Sequence, residues 1–214
     1  MIFNAVIAIW VTAAMTLGFF MPQAHGLNTS NIMYFHVPMA ISMEIAFLMA
    51  AWHGVRYLQT RRMEHDAQSV AFAEVGTAFG IIATITGSIW AKLNWGAYWS
   101  WDPQQIGIVA VLLTYFALFA LRGATEDDEK TRSAWAVYAI FGIVAAIFWT
   151  FIFRRLPQLA TLHPPAVLID SSPIFKLALW TNVAGFAMLM IKVALLRGRV
   201  QVAQEKLKEN ADVD

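Results

Sequence analysis

The chain has 214 residues, of which 59% are hydrophobic and only 14% are charged, and its mean hydropathy is +0.57. In soluble domains about a quarter of the residues are charged, so this composition predicts a membrane protein. The chain has no cysteine, which excludes disulfides, thiolate metal ligands and a CxxCH haem-attachment motif. It has no GxxxxGK(S/T) phosphate loop either, so an ATP-driven step would need another subunit. A net charge of +1 gives no indication of a nucleic-acid surface.

Six apolar runs are long enough to cross a bilayer, whose core of about 30 Å needs about 20 residues of helix. The first run has neither a basic segment before it nor a small-residue cleavage site, so we interpret it as a helix rather than a signal peptide. The predicted fold is all-α: a polytopic membrane protein with six transmembrane helices. In chain order the runs cover residues 2–21, 35–55, 67–91, 105–122, 134–153 and 174–196.

Lysine and arginine fall mostly on one side of this arrangement, ten on the side of both termini and four on the other. The positive-inside rule therefore predicts that both termini are cytoplasmic and that the loop after the third helix is outside. Residues 1–196 would form one transmembrane domain with an outer tryptophan-rich loop at about 92–104, and residues 197–214 a cytoplasmic tail that continues as a helix. The ten are Arg56, Arg61, Arg62, Arg122, Lys130, Arg132, Arg197, Arg199, Lys206 and Lys208, and the four are Lys92, Arg154, Arg155 and Lys176.

The outer loop is rich in aromatic residues, with four tryptophans within the twelve residues 90–101. Rings with one polar edge suit the bilayer interface, and they also suit a flat apolar ligand. An interfacial belt explains one or two such rings, but belts are spread over all helix ends. We therefore hypothesise a ligand platform, in which Trp95 and Trp99 would stack on one face if the loop is helical. The proposed platform residues are Trp90, Trp95, Tyr98, Trp99, Trp101 and, at the end of the loop, Asp102.

Asp102 is followed by Pro103, then by Gln105 and an apolar run. An acidic N-cap, a proline at the first helical position and a glutamine at the third are typical of a helix start. We predict that Asp102 caps the fourth helix and thereby holds the loop, with direct contact to a ligand as the alternative.

Two histidines lie at the predicted outer ends of helices: His36, in Phe35-His36-Val37-Pro38, and His163, in Thr161-Leu-His163-Pro-Pro165. Neutral imidazole is a good axial ligand for haem iron, and two imidazoles from separate segments would approach the iron from opposite faces. The alternative is a pair of interfacial histidines at headgroup depth. The remaining histidines lie in a polar loop or near the cytoplasmic end and would not meet His36; they are His25, His53 and His65.

Arg154 and Arg155 are basic residues on the predicted outer side. Guanidinium groups pair bidentately with carboxylates, so they are candidates to hold haem propionates, with Lys92 a weaker one. The alternative is snorkelling at the end of the fifth helix.

Glu44 falls inside the second helix, where an ionisable group is costly and indicates function. It would either hydrogen-bond within the bundle as a neutral acid or face a cavity.

The segment Trp95-Gly-Ala-Tyr-Trp99-Ser-Trp101-Asp102 resembles the W-G-x-x-W-x-W-D signature of the WWD-type haem-handling proteins of cytochrome c maturation, the CcmC/CcmF/CcsA family. Thr86-Gly-Ser-Ile-Trp90-Ala-Lys leads into it as the family's third helix does, and His36 and His163 look like the two flanking histidines. The resemblance covers almost the whole chain. Its six-helix, single-domain length is similar to the CcmC branch, whereas Trp101-Asp-Pro103 is similar to the CcsA version of the motif.

The resemblance implies that haem b lies non-covalently and transiently on the platform, at the outer face of the inner membrane, with His36 and His163 as axial ligands. It implies transfer to a membrane-anchored haem chaperone of the CcmE type, beside ABC-transporter subunits of the CcmA and CcmB type and a small CcmD-type membrane subunit. It leaves open whether the chain assists haem attachment to the chaperone or only positions the haem. Two alternatives are a haem-conducting exporter, which needs a polar route, and a haem b electron-transfer anchor, which needs histidine pairs at mid-membrane depth.

Overall fold

The computed structural model describes residues 2–21, 30–125, 129–163 and 171–211, and this part of the chain is helical apart from the connecting loops. His25 and the two prolines after His163 lie outside the described residues. The α-helices in the described residues are α1 (Ile2–Gly18), α2 (Met33–Thr60), α3 (Met63–Trp95), α4 (Pro103–Gly123), α5 (Glu129–Ile147) and α6 (Pro173–Ala211).

Five of the described helices are long and apolar enough to cross a membrane: α2, α3, α4, α6, and α5 together with its extension to Arg155. The chain is therefore a multi-pass membrane protein. In α1 the described apolar part is shorter, Ala5–Thr16. The sixth crossing and the cytoplasmic placement of both termini stay predictions.

Several helices extend past the apolar runs that predicted them. α2 continues to Thr60 rather than residue 55, and α3 begins at Met63 rather than residue 67, so two residues separate them. The turn is made at Arg61, which has a φ of 57° and donates its N–H to the Tyr57 carbonyl at 2.7 Å. Likewise, α6 continues without a break to Ala211 rather than ending at residue 196. Hydropathy marks only the apolar part of a helix, whereas capping decides where its backbone ends.

The core lies around the α2–α3 hairpin, against which α5 and α6 pack, and it is filled by apolar side chains. Pro38 stands inside α2 and has no N–H to donate to the Tyr34 carbonyl. The side chain of Asn182 on α6 donates to that carbonyl instead, at 3.2 Å. This bond fixes the beginning of α2, where His36 lies, against α6. The fully buried side chains of the core include Phe47, Phe72 and Phe186.

The C-terminal end of α5 does not continue as a regular α-helix. It changes to a π-helical turn over Phe148–Ile152 and then to a 3-10 turn over Phe153–Arg155. Gly107 of α4 lies so close to the Trp149 carbonyl that a Cβ atom would collide with it. The missing side chain therefore lets α4 and the π-turn pack closely, beside the loops that carry the tryptophans and His163.

Candidate functional site

The tryptophan loop begins where α3 ends. Gly96 follows Trp95 with a φ of 82°, a conformation that favours glycine, and the loop after it is not helical. Trp95 and Trp99 are therefore not neighbours on one helical face. Instead the rings form two edge-to-face pairs, Trp90 with Trp95 at 5.0 Å between centroids and Trp99 with Trp101 at 5.7 Å.

Two side chains at the start of α4 hold the other end of the loop. The Asp102 carboxylate accepts the Gln104 N–H at 2.9 Å, which is the predicted N-cap. The Gln105 side chain accepts the Ser100 N–H at 2.9 Å and donates to the Tyr98 carbonyl at 3.2 Å. Between these anchors Trp101 has a φ of 58° and is 74% exposed. Left-handed geometry at a non-glycine residue is uncommon and is concentrated at functional positions.

Asp102 also joins the tryptophan loop to the segment that carries His163, 61 residues away. Its Oδ2 accepts the Leu162 N–H at 2.6 Å and the Thr161 hydroxyl at 2.9 Å. Its Oδ1 lies 2.8 Å from Nδ1 of His163, and the two side chains are 0% and 24% exposed. The sequence did not indicate this contact, because the N-cap pattern accounted for Asp102 without a second role. No local pattern pairs it with a residue 61 positions away.

The charge state of this pair follows from its surroundings. Burial raises the pKa of the Asp102 carboxyl, but the N–H groups of Leu162 and Gln104 and the nearby His163 lower it by more, so its pKa lies below the usual value. Burial lowers the pKa of the His163 imidazole by more than Asp102 raises it. At neutral pH the pair is therefore a carboxylate that accepts the Nδ1–H of a neutral imidazole, and Nε2 of His163 keeps its lone pair.

His36 is fixed in the same way by a different acceptor. Its Nδ1 lies 2.9 Å from the Ala83 carbonyl and 3.3 Å from the Thr86 hydroxyl, both on α3. A carbonyl can only accept, so Nδ1 carries the proton and Nε2 has the lone pair. The ring fits against α3 because the neighbouring residue is Gly87, where a Cβ would lie 2.7 Å from Cε1 of His36. His36 and His163 are close enough to interact electrostatically.

The structure brings part of the predicted platform to His163. The Trp95 ring meets the imidazole edge to face at 4.9 Å between centroids, and Trp90 lies at 6.1 Å. Trp90 is 7% exposed, and its indole Nε1 is buried without a hydrogen-bond partner among the described residues. Tyr98 and Trp101, in contrast, are exposed. The platform residues thus comprise a buried Trp90 and a half-buried Trp95 beside His163, at the end of α3, and exposed rings in the loop that follows.

The three basic candidates differ. Arg154 interacts electrostatically with both Asp102 and His163, and its Nε is buried without a hydrogen-bond partner in the described part of the chain. Arg155 donates to the carbonyl of Phe151 in its own helix, at 2.6 Å. Lys92 donates to the Gly96 carbonyl at 2.8 Å. Of these three, Arg154 is the one with a buried donor that lacks a partner in the described part of the chain.

The fold and the site define a multi-pass helical membrane protein with two oriented imidazoles and an aromatic loop gathered at one end of the bundle. A family model described as CcmC, Heme exporter protein C, matches residues 1–212. Heme exporter protein C of Rhodobacter capsulatus is 30% identical over 93% of this chain and 88% of that protein. The proteins of the same name from Paracoccus denitrificans and Escherichia coli K12 are 28% and 30% identical, over 89% and 80% of this chain and 80% and 70% of their own lengths. The chain belongs to the Heme exporter protein C family, which confirms the predicted CcmC branch.

Proposed function

We propose that this chain binds haem at the tryptophan-loop end of the bundle and presents it for cytochrome c maturation. One observation carries the proposal: His36 and His163 each donate Nδ1–H to a fixed acceptor and keep Nε2 as a lone-pair nitrogen. Histidines that bind metals have this arrangement, because the acceptor orients the ring and raises its basicity. We assign the two Nε2 atoms as the axial ligands of haem iron.

The surroundings of the two imidazoles suit the rest of the haem molecule. The platform residues Trp90, Trp95, Tyr98, Trp99 and Trp101 offer ring surface for an apolar macrocycle. A buried donor without a partner costs about 1–3 kcal/mol, more when it is charged. The unpartnered Nε of Arg154 and Nε1 of Trp90 would recover that cost on the propionate carboxylates. Arg155 and Lys92 are weaker propionate candidates, because each already donates to a backbone carbonyl and neither has a buried donor that lacks a partner in the described chain.

Asp102 supports the site without touching the haem in this proposal. One carboxylate caps α4, orders the Leu162 segment and sets the tautomer of His163. At neutral pH no proton occupies Nε2 of His163, so this atom is available to the iron. Because the haem is not bound covalently to the protein, it can be released to a recipient.

We place the site on the outer, periplasmic side of the inner membrane, with both termini in the cytoplasm, because the basic residues favour the opposite side. The relatives are named heme exporter protein C, and we propose ABC-transporter subunits of the CcmA and CcmB type and a small CcmD-type subunit as partners. The recipient of haem b would be a membrane-anchored CcmE-type chaperone.

The exposed rings of Tyr98 and Trp101 favour presentation of haem at the protein surface. The apolar core of the described bundle does not favour a transmembrane haem conduit.

The proposal is tested with the purified full chain and added haem. We expect His36→Ala and His163→Ala to lose the absorption spectrum of bis-histidine haem, because each removes one axial ligand. His53→Ala and His65→Ala are the matched controls, since these two histidines contact each other at the α2–α3 turn, and both should keep the spectrum. Normal haem content and spectra in both ligand variants would refute the axial assignment. A Trp95→Ala/Trp99→Ala double variant that folds and keeps full affinity would refute the platform.

A further inference from the structure

A second group of polar side chains lies deeper in the bundle, between α2, α4 and α5. Glu44 follows the first residue of α2 by about 16 Å along the helix axis, at 1.5 Å per residue. Both of its carboxyl oxygens are buried and have no hydrogen-bond partner among the described residues. The proposed haem function makes no use of Glu44.

Tyr115 of α4 faces the same place. Its side chain is fully buried, its hydroxyl has no hydrogen-bond partner among the described residues, and it interacts electrostatically with Glu44. The Tyr115 ring stacks on Phe47 with 3.6 Å between centroids and 8° between planes. A Cβ on Gly142 would lie 3.2 Å from the Tyr115 hydroxyl oxygen, so α5 closes over it. This packing holds the hydroxyl beside the carboxyl and away from solvent.

Thr150 belongs to the same group and comes from the π-turn of α5. It contacts Glu44, but its hydroxyl donates to the Ala146 carbonyl at 2.8 Å. Its oxygen can therefore still accept a hydrogen bond, while its one proton is already used. π-turns occur frequently at functional sites. Here the turn carries the one polar side chain that α5 contributes to the group.

A buried carboxyl group with no hydrogen bonds is costly, and an ionised one in a membrane bundle costs more still. A neutral acid removes the charge but still needs an acceptor for its O–H and a donor for its carbonyl. A buried water molecule typically makes about three hydrogen bonds to polar groups that lack partners. The carboxyl oxygens of Glu44, the Tyr115 hydroxyl and the Thr150 oxygen together offer that number of partners.

We propose that Glu44, Tyr115 and Thr150 form an intramembrane site that holds one exchangeable proton on Glu44 and at least one water molecule between Glu44 and Tyr115. The ligands of this site are thus a proton and water. It is distinct from the haem site, since neither His36 nor His163 takes part.

The test is infrared spectroscopy of the full chain in lipid nanodiscs at neutral pH. We expect a carbonyl stretch of a protonated carboxylic acid that shifts in D₂O and that disappears in Glu44→Gln. The matched control is Glu74→Gln, which should keep the band, because Glu74 lies in an ion pair with Arg197 at 2.7 Å, outside the Glu44 site. Tyr115→Phe should keep the band at a changed frequency, because it removes one hydrogen-bonding neighbour of the water.

Two results would overturn the proposal. If the wild-type protein shows no protonated-acid band, Glu44 does not hold the proton. If the band is present but does not respond to D₂O, the proton on Glu44 is not exchangeable. Should Glu44→Gln fail to fold, Tyr115→Phe decides the assignment, and an unchanged band frequency in that variant contradicts the water bridge.

Discussion

The two ends of the bundle differ in how some of their charged side chains are paired. At the end with the α2–α3 turn they satisfy one another: Arg122 of α4 donates twice to Asp66 of α3, at 2.9 and 2.6 Å, and Arg197 of α6 pairs with Glu74 at 2.7 Å. At the tryptophan end, Arg154 and Trp90 keep buried donors without partners in the described chain. The ion pairs of the first end therefore join helices to one another, and in the proposed function haem supplies the missing partners at the second end.

The histidines show the same difference. His53 and His65 turn their Nδ1 atoms toward each other at 3.2 Å, so one ring donates to the other and the pair uses its own polar atoms. His36 and His163 instead direct Nδ1 to protein acceptors that cannot donate, and their Nε2 atoms are left with lone pairs. The two described histidines at each end thus have different chemical capacity.

The largest expected effect is on stability, at the end with the α2–α3 turn. Asp66 is 2% exposed, and removing one partner of a buried ion pair typically costs about 3–5 kcal/mol, because the other charge stays buried without compensation. Asp66→Asn should therefore lower the thermal unfolding midpoint strongly while the remaining folded protein keeps its haem spectrum. Glu64→Gln is the control, since its pair with Arg62 is exposed, and it should change little. A spectral change in folded Asp66→Asn would contradict the separation of the two ends.

The next effect tests the acceptor at the tryptophan end. Asp102→Asn should weaken haem binding by about 10–100-fold, the usual cost of losing the acceptor behind a metal-bound histidine. Asparagine still caps α4 well, but its amide donor can turn toward Nδ1 of His163, and the proton would then move to Nε2. Haem titration with circular dichroism as the folding control measures this. Unchanged affinity would show that Asp102 acts only as a helix cap.

The pH dependence of haem binding provides a related test. Because burial holds the pKa of His163 below its usual value, protons compete with iron only at lower pH. We therefore expect affinity to stay level as pH falls through the range in which an ordinary histidine titrates, and to decrease below it. In Asp102→Asn the pH at which half of the haem affinity is lost should be lower still, because the substitution removes a group that raises the pKa of His163. A midpoint at or above the ordinary histidine value contradicts the buried, neutral imidazole.

How much of this was predictable differs between the fold and the site. Apolar runs predicted the five long helices, and the Asp102–Pro103 pattern predicted where α4 starts, because both signals are local. Helix ends were displaced, since hydropathy does not detect helical segments outside the apolar part. The contacts of Asp102 with His163 and of His36 with Ala83 could not be predicted, because each joins residues far apart in the chain. The partners of Glu44 were missing for the same reason.

A smaller effect distinguishes the two neighbouring arginines. Arg154→Gln should reduce haem affinity about tenfold, the lower end of what a hydrogen bond to a charged group contributes. Arg155→Gln is the matched control and should bind haem normally, since Arg155 donates to its own helix. A haem analogue with esterified propionates should bind equally to wild type and Arg154→Gln. Equal losses in the two arginine variants would indicate a general effect of outer charge rather than a propionate contact.

The smallest effect concerns the space beside His36. Gly87→Ala places a methyl group where it would approach Cε1 of His36 to 2.7 Å, so the imidazole must rotate or α2 must shift. We expect the free energy of unfolding to fall by about 1 kcal/mol, the lower end of the range for overpacked cores, because the atom that must move belongs to a side chain rather than to the backbone. The haem absorption bands should shift as the axial ring reorients. Gly123→Ala is the control, since nothing lies near its added methyl group, and its haem spectrum should match wild type. If Gly87→Ala also leaves the bands unchanged, His36 does not ligate the iron in the orientation that α3 gives it.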